Sequence, residues 1–274
     1  MNIKDFTFII TTYKSEKLIF NCIKNLPNET SKIVIENSNN LELKHKLEKE
    51  FKKTKCYIMK KNLGYGKANN YGIKKAKTQY VFIINPDVIL NLKNFLKIIK
   101  ILKNENFSIA GFLEKGDNFN FKNKMLLDRD FVKGFAMIIN KNKMNIFFDE
   151  NIFLFLEEID LCKRVKNKNG RIILLNIKIS HLGGLSHEKK YDIEMEKSRN
   201  WHWMWSKFYF NKKHNNYIYA FLLTFPNFVS SLIKFIFYIV LNNKKNTIKY
   251  KMRFSGLLSS YLKKKSFYRP FNKN

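Results

Sequence analysis

The stretch Tyr80-Val81-Phe82-Ile83-Ile84-Asn85-Pro86-Asp87-Val88 decides how this chain reads. Five consecutive apolar residues make a buried strand, and Asn-Pro-Asp closes it in residues that favour turns. Upstream, Phe6–Ile10 is a second such strand, bounded by Thr11-Thr12-Tyr13. Lys32–Ile35 is a third, running into Glu36-Asn37-Ser38-Asn39-Asn40, and Cys56–Met59 a fourth. Between them, apolar residues fall at helical spacing over 15–26, 41–52 and 67–77. Strands alternating with helices of this length predict an α/β fold with a mostly parallel central sheet. Ligands of such sheets sit beyond the carboxyl ends of the strands, and three of the polar clusters lie there.

Downstream, 108–113 and 132–139 read as strands, 156–166 as a helix with acids in its first turn, and 171–179 as extended. The chain then turns helical and aromatic through Trp201, Trp203 and Trp205. The simplest division is a catalytic-size domain over 1–195 and a helical appendage over 196–274. The N-terminal residues have too short an apolar run for a secretory leader. Three cysteines without CxxC spacing predict buried thiols in a reducing compartment, with neither a disulfide framework nor a zinc site.

The net charge is +30, from 52 Lys and Arg against 22 Asp and Glu. An aromatic share of 15% excludes a disordered polycation. So basic a chain invites a nucleic-acid reading, but only six of the cations are Arg, the residue of bidentate phosphate and base recognition. No nucleic-acid-binding signature accompanies them. The charge is also uneven. Residues 1–196 carry all 22 acids and a net +14, whereas 197–274 hold 16 cations and no acid at all.

Several residues could carry chemistry. Asp87, on a strand-end loop beside Asn85, suits a hard divalent cation held partly through substrate phosphates, or belongs simply to a turn. Glu157, Glu158 and Asp160 either complement a helix dipole or supply a general base whose pKa its neighbours raise. His181 and His187 flank a Gly pair and either ligate a metal, contact phosphate or are structural. The loop from Asn62 through Gly64 to Asn70 could cradle phosphate at a helix N-terminus, although it lacks the ending of a P-loop.

In this order the segments Ile9–Tyr13, Ile33–Ser38, Asn62–Gly72, Asn85–Val88, Lys133–Met137, Phe155–Arg164 and His181–Ser186 resemble inverting family 2 glycosyltransferases with the GT-A fold, especially the rhamnosyltransferase-like branch that builds bacterial surface polysaccharides. The resemblance implies that Thr11, Thr12 and Glu36 line the nucleotide pocket, with Tyr13, Asn37, Ser38, Asn62, Gly64, Asn70 and Asn85 along the donor site. It implies that Asp87 holds Mg²⁺ or Mn²⁺ against the donor diphosphate, with His181 close by. Glu158 would be the base that deprotonates the acceptor hydroxyl, Glu157 and Asp160 would orient it or the acceptor, and the choice between Glu157 and Glu158 stays open. Three positions depart from the family pattern: Glu36 and Glu158 stand where Asp is common, and Lys14 replaces an Asn. The implied partners are a nucleotide sugar and a glycan or polyprenyl-linked acceptor, with no nucleic acid.

Tyr217–Leu241 has 25 residues and one charge, Lys234, and is long enough to cross a bilayer. Pro226, Ser230 and Ser231 interrupt it, which suits two short interfacial helices better than one span or a helix packed on the domain. Flanking lysines would be drawn to an anionic membrane surface, so the expected location is cytoplasmic and peripheral on the inner face of the cell membrane. A basic nucleic-acid-binding protein and a non-catalytic GT-A scaffold subunit are the competing readings.

Overall fold

A computed structural model describes residues 1–181 and 189–271. These divide into two compact units, one within Met1–Asp149 and Glu158–Glu188, the other within Glu150–Glu157 and Lys189–Asn274.

In the first unit, strands β1 (Phe6–Thr12), β2 (Ser31–Glu36), β3 (Thr54–Ile58) and β4 (Tyr80–Ile84) alternate with helices α1 (Glu16–Asn25), α2 (Leu41–Glu50) and α3 (Tyr65–Lys75). They lie parallel in the order β3-β2-β1-β4. The unbroken apolar runs arise because both faces are buried. Phe6, Phe8, Ile10, Phe82 and Ile84 point into one core, and Ile9, Val81 and Ile83 into the other. Phe82 stacks between Phe8 and Phe112 at 5.1 and 5.2 Å. Helices α1, α2 and α4 (Leu92–Leu102) cover the first face, whereas α3 and α5 (Glu157–Lys166) contribute to the second. Cys22, Cys56 and Cys162 are free and buried in these cores, as expected.

Beyond β4 the sheet becomes mixed. After the short β5 (Val88–Ile89) come β6 (Ile109–Leu113), β7 (Leu126–Asp128), β8 (Ala136–Asn140) and β9 (Ile172–Lys178), extending the order to β3-β2-β1-β4-β8-β6-β9-β7. Strand β8 runs antiparallel to both β4 and β6, while β6 and β9 are parallel. Strand β10 (Ser180–His181) pairs antiparallel with β5, His181 opposite Val88. The strand expected over 132–139 starts only at Ala136, because 132–135 form the loop leading into it.

The second unit consists of α6 (Asp192–His214), α7 (Tyr217–Val240), α8 (Lys244–Tyr261) and the 150–157 segment. That segment is held by Phe153, stacked on His202 at 4.4 Å, and by the Leu154 carbonyl, which accepts from Ser206 Oγ at 2.8 Å. Helix α7 corrects the expectation of two short helices, since it runs unbroken through Pro226. A proline inside a helix removes one backbone hydrogen bond and costs about 3 kcal/mol in isolation. Here both halves are pinned. Phe221 and Phe228 pack on Tyr261, Phe228 also on Phe254, and Tyr238 stacks on Tyr250 at 5.5 Å. Packing on α8 before and after the proline outweighs the missing bond.

His202 is fully buried in this unit. Its Nε2 faces the Tyr268 carbonyl at 2.9 Å and its Nδ1 faces Ser266 Oγ at 3.0 Å, so a neutral ring that donates from Nε2 and accepts at Nδ1 satisfies both. Burial first, and then the nearby Arg269 charge, pull its pKa down to about 3. Below its ordinary value of ~6.5 the unfolded chain binds a proton that the folded chain refuses, so stability falls as pH drops through that window, by at most ~1.4 kcal/mol per pH unit. Denaturant titrations from pH 7 to 4 are expected to show this slope, and His202→Gln to flatten it. An unchanged slope in the variant would assign the effect to other groups.

Candidate active site

The carboxyl edge of β1, β2 and β4 collects the polar loops. After β1, Lys14 adopts φ +54, a left-handed conformation that Asn tolerates better than Lys. The Asn of the family pattern has a physical reason there, and Lys14 occupies the same turn under strain. Thr12 Oγ1 lies 2.9 Å from Ser15 Oγ and is buried, so its hydroxyl holds the turn after β1. Thr11 Oγ1 donates to Asn69 Oδ1 at 3.0 Å, leaving the buried Asn69 Nδ2 without a partner. Tyr13 is half-buried between them and Lys14.

Glu36 is fully buried, and both of its oxygens serve its own loop. Oε1 accepts from the Ser38 backbone at 2.8 Å and from Ser38 Oγ, and Oε2 accepts from the Asn40 backbone at 2.7 Å. The longer side chain folds back to shape the 36–40 turn. Asn37 bridges that turn to the next loop, accepting from the Leu63 backbone and donating to the Gly64 carbonyl, both at 3.4 Å. Asn62 Oδ1 accepts from the Gly64 backbone at 3.0 Å, and Gly64 stands at φ +82, where a side chain would be strained. Asn70 turns elsewhere: it donates to the Phe148 carbonyl and accepts from the Phe148 backbone, pinning that segment.

Asp87 follows β4, and its side chain is fully excluded from solvent. Neither carboxylate oxygen has a hydrogen-bond partner, although His181 Nε2 stands 3.3 Å from Oδ1 as an ion-pair contact. A bare buried carboxylate is costly, and a cation relieves the cost directly. The β5–β10 ladder brings His181 to this place from 94 residues away in the chain. The ring stacks on Phe135 at 4.8 Å, its Nε2 lies 3.5 Å from Asn85 Nδ2, and its Nδ1 faces Glu114 Oε1 at 2.7 Å. Burial lowers the His181 pKa, but Asp87 and Glu114 together outweigh it and hold the ring above its ordinary value. Lys133 in turn joins Glu114 and Asp117, each at 2.8 Å.

Sequence reasoning missed Glu114, though its signal resembles that of Asp87: an acid within three residues of the end of a buried strand, here Ile109–Leu113. It serves as a positioning residue, since an Nδ1–H donated to Glu114 leaves Nε2 directed at Asp87. A carboxylate behind a histidine whose other nitrogen faces a metal position is a recurrent second layer of metal sites. Among the described residues no three His, Cys, Asp or Glu side chains form a ready-made metal cluster. With Asp87 and His181 as its donors, a cation placed here would complete its shell with ligands from outside the chain. Residues 182–188, with His187 and most of the His181–Ser186 segment, lie outside the described residues.

The acid cluster at the start of α5 separates into different tasks. A Cβ added at Gly134 would meet the Glu158 side chain at 3.4–3.6 Å, and the Gly134 carbonyl accepts from Tyr65 Oη. The glycine therefore lets Glu158 approach the loop between Lys133 and Phe135. Burial pushes the Glu158 pKa up, against the lowering pull of the backbone N–H groups of Glu158 and Ile159. Asp160 is fully buried and accepts from Arg164 Nε at 2.7 Å, and Arg164 Nη2 donates to the Phe147 carbonyl, so this pair fastens the helix to the 147 segment. Glu157 is buried and groups with the C-terminal helices. Just before it, Phe155 and Leu156 adopt φ +70 and +67, strain of about 1–3 kcal/mol each that only fixed surroundings maintain.

Replacing Glu114 by Gln keeps the shape but removes one of the two charges on His181. In metal-free protein the imidazole titration followed by NMR is expected to shift to lower pH. A pKa unchanged from that of the parent chain would show that Glu114 does not hold the ring's charge.

The chain matches known proteins over this same region. The family model described as glycosyl transferase family 2 covers residues 7–161. The low-salt glycan biosynthesis hexosyltransferase Agl10 of Haloferax volcanii is 25% identical over 60% of the chain, and the processive diacylglycerol beta-glycosyltransferase of Mycoplasma genitalium 27% identical over 51%. The matched regions span 62% and 45% of those curated relatives. Among solved structures, the mannosyltransferase PcManGT from Pyrobaculum calidifontis, in complex with GDP-Man and Mn2+, superposes with a TM-score of 0.61 over 97% of this chain and 89% of its own, at 11% identity, a likeness of fold. A family match over more than half the residues, on a sheet whose carboxyl edge gathers Asp87, His181 and the polar loops, makes the chain a member of glycosyl transferase family 2.

Proposed function

We propose that the chain transfers a sugar from a nucleotide-diphosphate donor to a hydroxyl of a glycan or lipid-linked acceptor, with inversion at the anomeric carbon, in bacterial surface polysaccharide synthesis. The observation that carries the reading is Asp87, a buried carboxylate on the ligand edge of the sheet whose oxygens accept no hydrogen bond among the described residues and whose neighbouring charge is His181. The relatives support it: one is a hexosyltransferase of glycan biosynthesis, another acts on diacylglycerol, and PcManGT is complexed with GDP-Man and Mn2+.

Asp87 and His181 would hold Mg²⁺ or Mn²⁺, whose positive charge stabilises the departing diphosphate. The chain's own residues do the rest. Glu158 takes the proton of the acceptor hydroxyl as its oxygen bonds to the anomeric carbon, and the bonding pair of the sugar–phosphate linkage leaves with the diphosphate. Burial raises its pKa, the direction that makes a carboxylate a stronger base. The turn shaped by Glu36 and the Asn37–Gly64 bridge form the nucleotide side, with Thr11 and Tyr13 at its margin.

With a nucleotide sugar and Mn²⁺, Asp87→Ala and Glu158→Gln are expected to fold as the parent does and to lose about 10²–10⁴-fold in turnover. The acidic limb of the parent's kcat/KM profile is expected above the ordinary Glu value of ~4.3 and to be absent from the residual activity of Glu158→Gln. Full transfer by Glu158→Gln would remove it as the base.

The same reading puts the protein on the inner face of the cell membrane. Helix α7 has a mean hydropathy of 1.6 over its most apolar window and is long and apolar enough to cross a bilayer. It leaves Ile218, Leu222, Ile233 and Val240 largely exposed. Lysines on α8 add about 1 kcal/mol each of attraction to an anionic surface. The full chain is expected to float with vesicles containing phosphatidylglycerol and to bind those of phosphatidylcholine alone more weakly. Equal recovery with both would exclude the electrostatic part.

A further inference from the structure

The C-terminal unit contains a cavity of about 340 Å³, bordered by Phe153, Trp205, Tyr209, Lys212, Lys264 and Arg269. Five lining side chains are cationic and one, Glu150, is acidic. Its walls are fixed by buried polar contacts. Trp205 Nε1 donates to the Lys264 carbonyl at 3.0 Å, and Trp205 stacks on Tyr209 at 4.9 Å. His202 holds both Ser266 and the Tyr268 carbonyl, which fastens the segment that carries Arg269. Two residues beyond the end of α8 at Tyr261, Lys263 stands at φ +55, a left-handed position that glycine would take without strain.

Arg269 is the unusual member. Its guanidinium carbon lies 3.9 Å from the Phe153 ring centre, and Nη1 donates to the Ser266 and Tyr268 carbonyls, both at 2.8 Å. Nε and Nη2 have no partner among the described residues, and no carboxylate there forms an ion pair with this side chain. The side chain is half-buried, and burial lowers its pKa to about 10. A partly desolvated cation without a carboxylate partner gains when an anion joins it. A planar guanidinium with free N–H groups, fixed on an aromatic ring and ringed by lysines, matches the oxygens of a phosphoryl group.

We propose that this cavity binds a phosphate or diphosphate group, whether on a lipid head group or on a soluble phosphorylated compound. Its lining shares no residue with Asp87 and His181, and binding there does not depend on the transfer reaction. It assigns a ligand to the acid-free C-terminal region rather than charge alone.

Calorimetric titration of the full chain with inorganic pyrophosphate, in EDTA so that no divalent ion can recruit it to Asp87, tests the site. The parent is expected to bind saturably and Arg269→Gln at least about tenfold more weakly, with partial recovery in Arg269→Lys. The exposed pair Lys264→Gln and Lys265→Gln, which leaves the buried contacts in place, is expected to weaken binding severalfold. Phosphatidylglycerol vesicles distinguish the sources. Loss of vesicle binding together with pyrophosphate binding in Arg269→Gln identifies a lipid head group, and loss of pyrophosphate binding alone identifies a soluble ligand. Absence of saturable binding in the parent, or equal binding by the parent, Arg269→Gln and the lysine pair, would overturn the proposal. Sugar transfer with Mn²⁺ is expected to survive Arg269→Gln, so failure here and failure of the catalytic reading are told apart.

Discussion

A carboxylate held out of water with only an imidazole beside it is costly in a folded chain, and the catalytic unit is organised around one. Asp87 sits where β4 leaves the sheet, on a strand whose two faces are both covered. The strand cannot shift to expose it without exposing Phe82 and Ile84 as well. The two-residue ladder between β5 and β10 then brings His181 beside it, Phe135 supports the ring, and Glu114 orients it. Packing thus supplies the stability that the site itself lacks, as is usual where a protein keeps a charged group ready for a ligand.

The same arrangement explains what the sequence reveals. The runs Phe6–Ile10 and Tyr80–Ile84 are unbroken because helices cover both sides of the sheet, so the parallel half is legible from composition alone. Asp87 is legible because it interrupts such a run. Glu114 carries a similar local signature, yet its meaning depends on His181, which arrives through pairing between strands far apart in sequence. Glu36 and Asp160 are already engaged, one by its own loop and the other by Arg164 one helical turn on, a pairing that the i,i+4 spacing of Asp160 and Arg164 makes readable. Position along a motif identifies which residues gather at an edge. Partners decide which of them remain available.

Pro226 illustrates the converse limit. Local propensity argues for a break, and the helix continues because Phe221, Phe228 and Tyr238 find partners on α8, a segment beyond the reach of any window around the proline. The segment 150–157 is a second instance. Its composition marks no boundary, but Phe153 and Leu154 are held by His202 and Ser206, so a linear division at any single residue misses it.

The two halves of the charge behave differently for the same reason. In the catalytic unit most acids stand against cations: Glu114 and Asp117 with Lys133, Asp160 with Arg164, Glu105 and Asp128 with Arg171. A surplus of lysine there is largely a matter of solvated surface. From residue 197 onward no acid exists to form such pairs within the segment, and Arg269 engages carbonyls through Nη1 alone and rests on a phenyl ring. Five cations against the single acid Glu150 leave the cavity lining net positive. The absence of acids is therefore what a segment needs if its cations are to meet an anion that the chain does not supply.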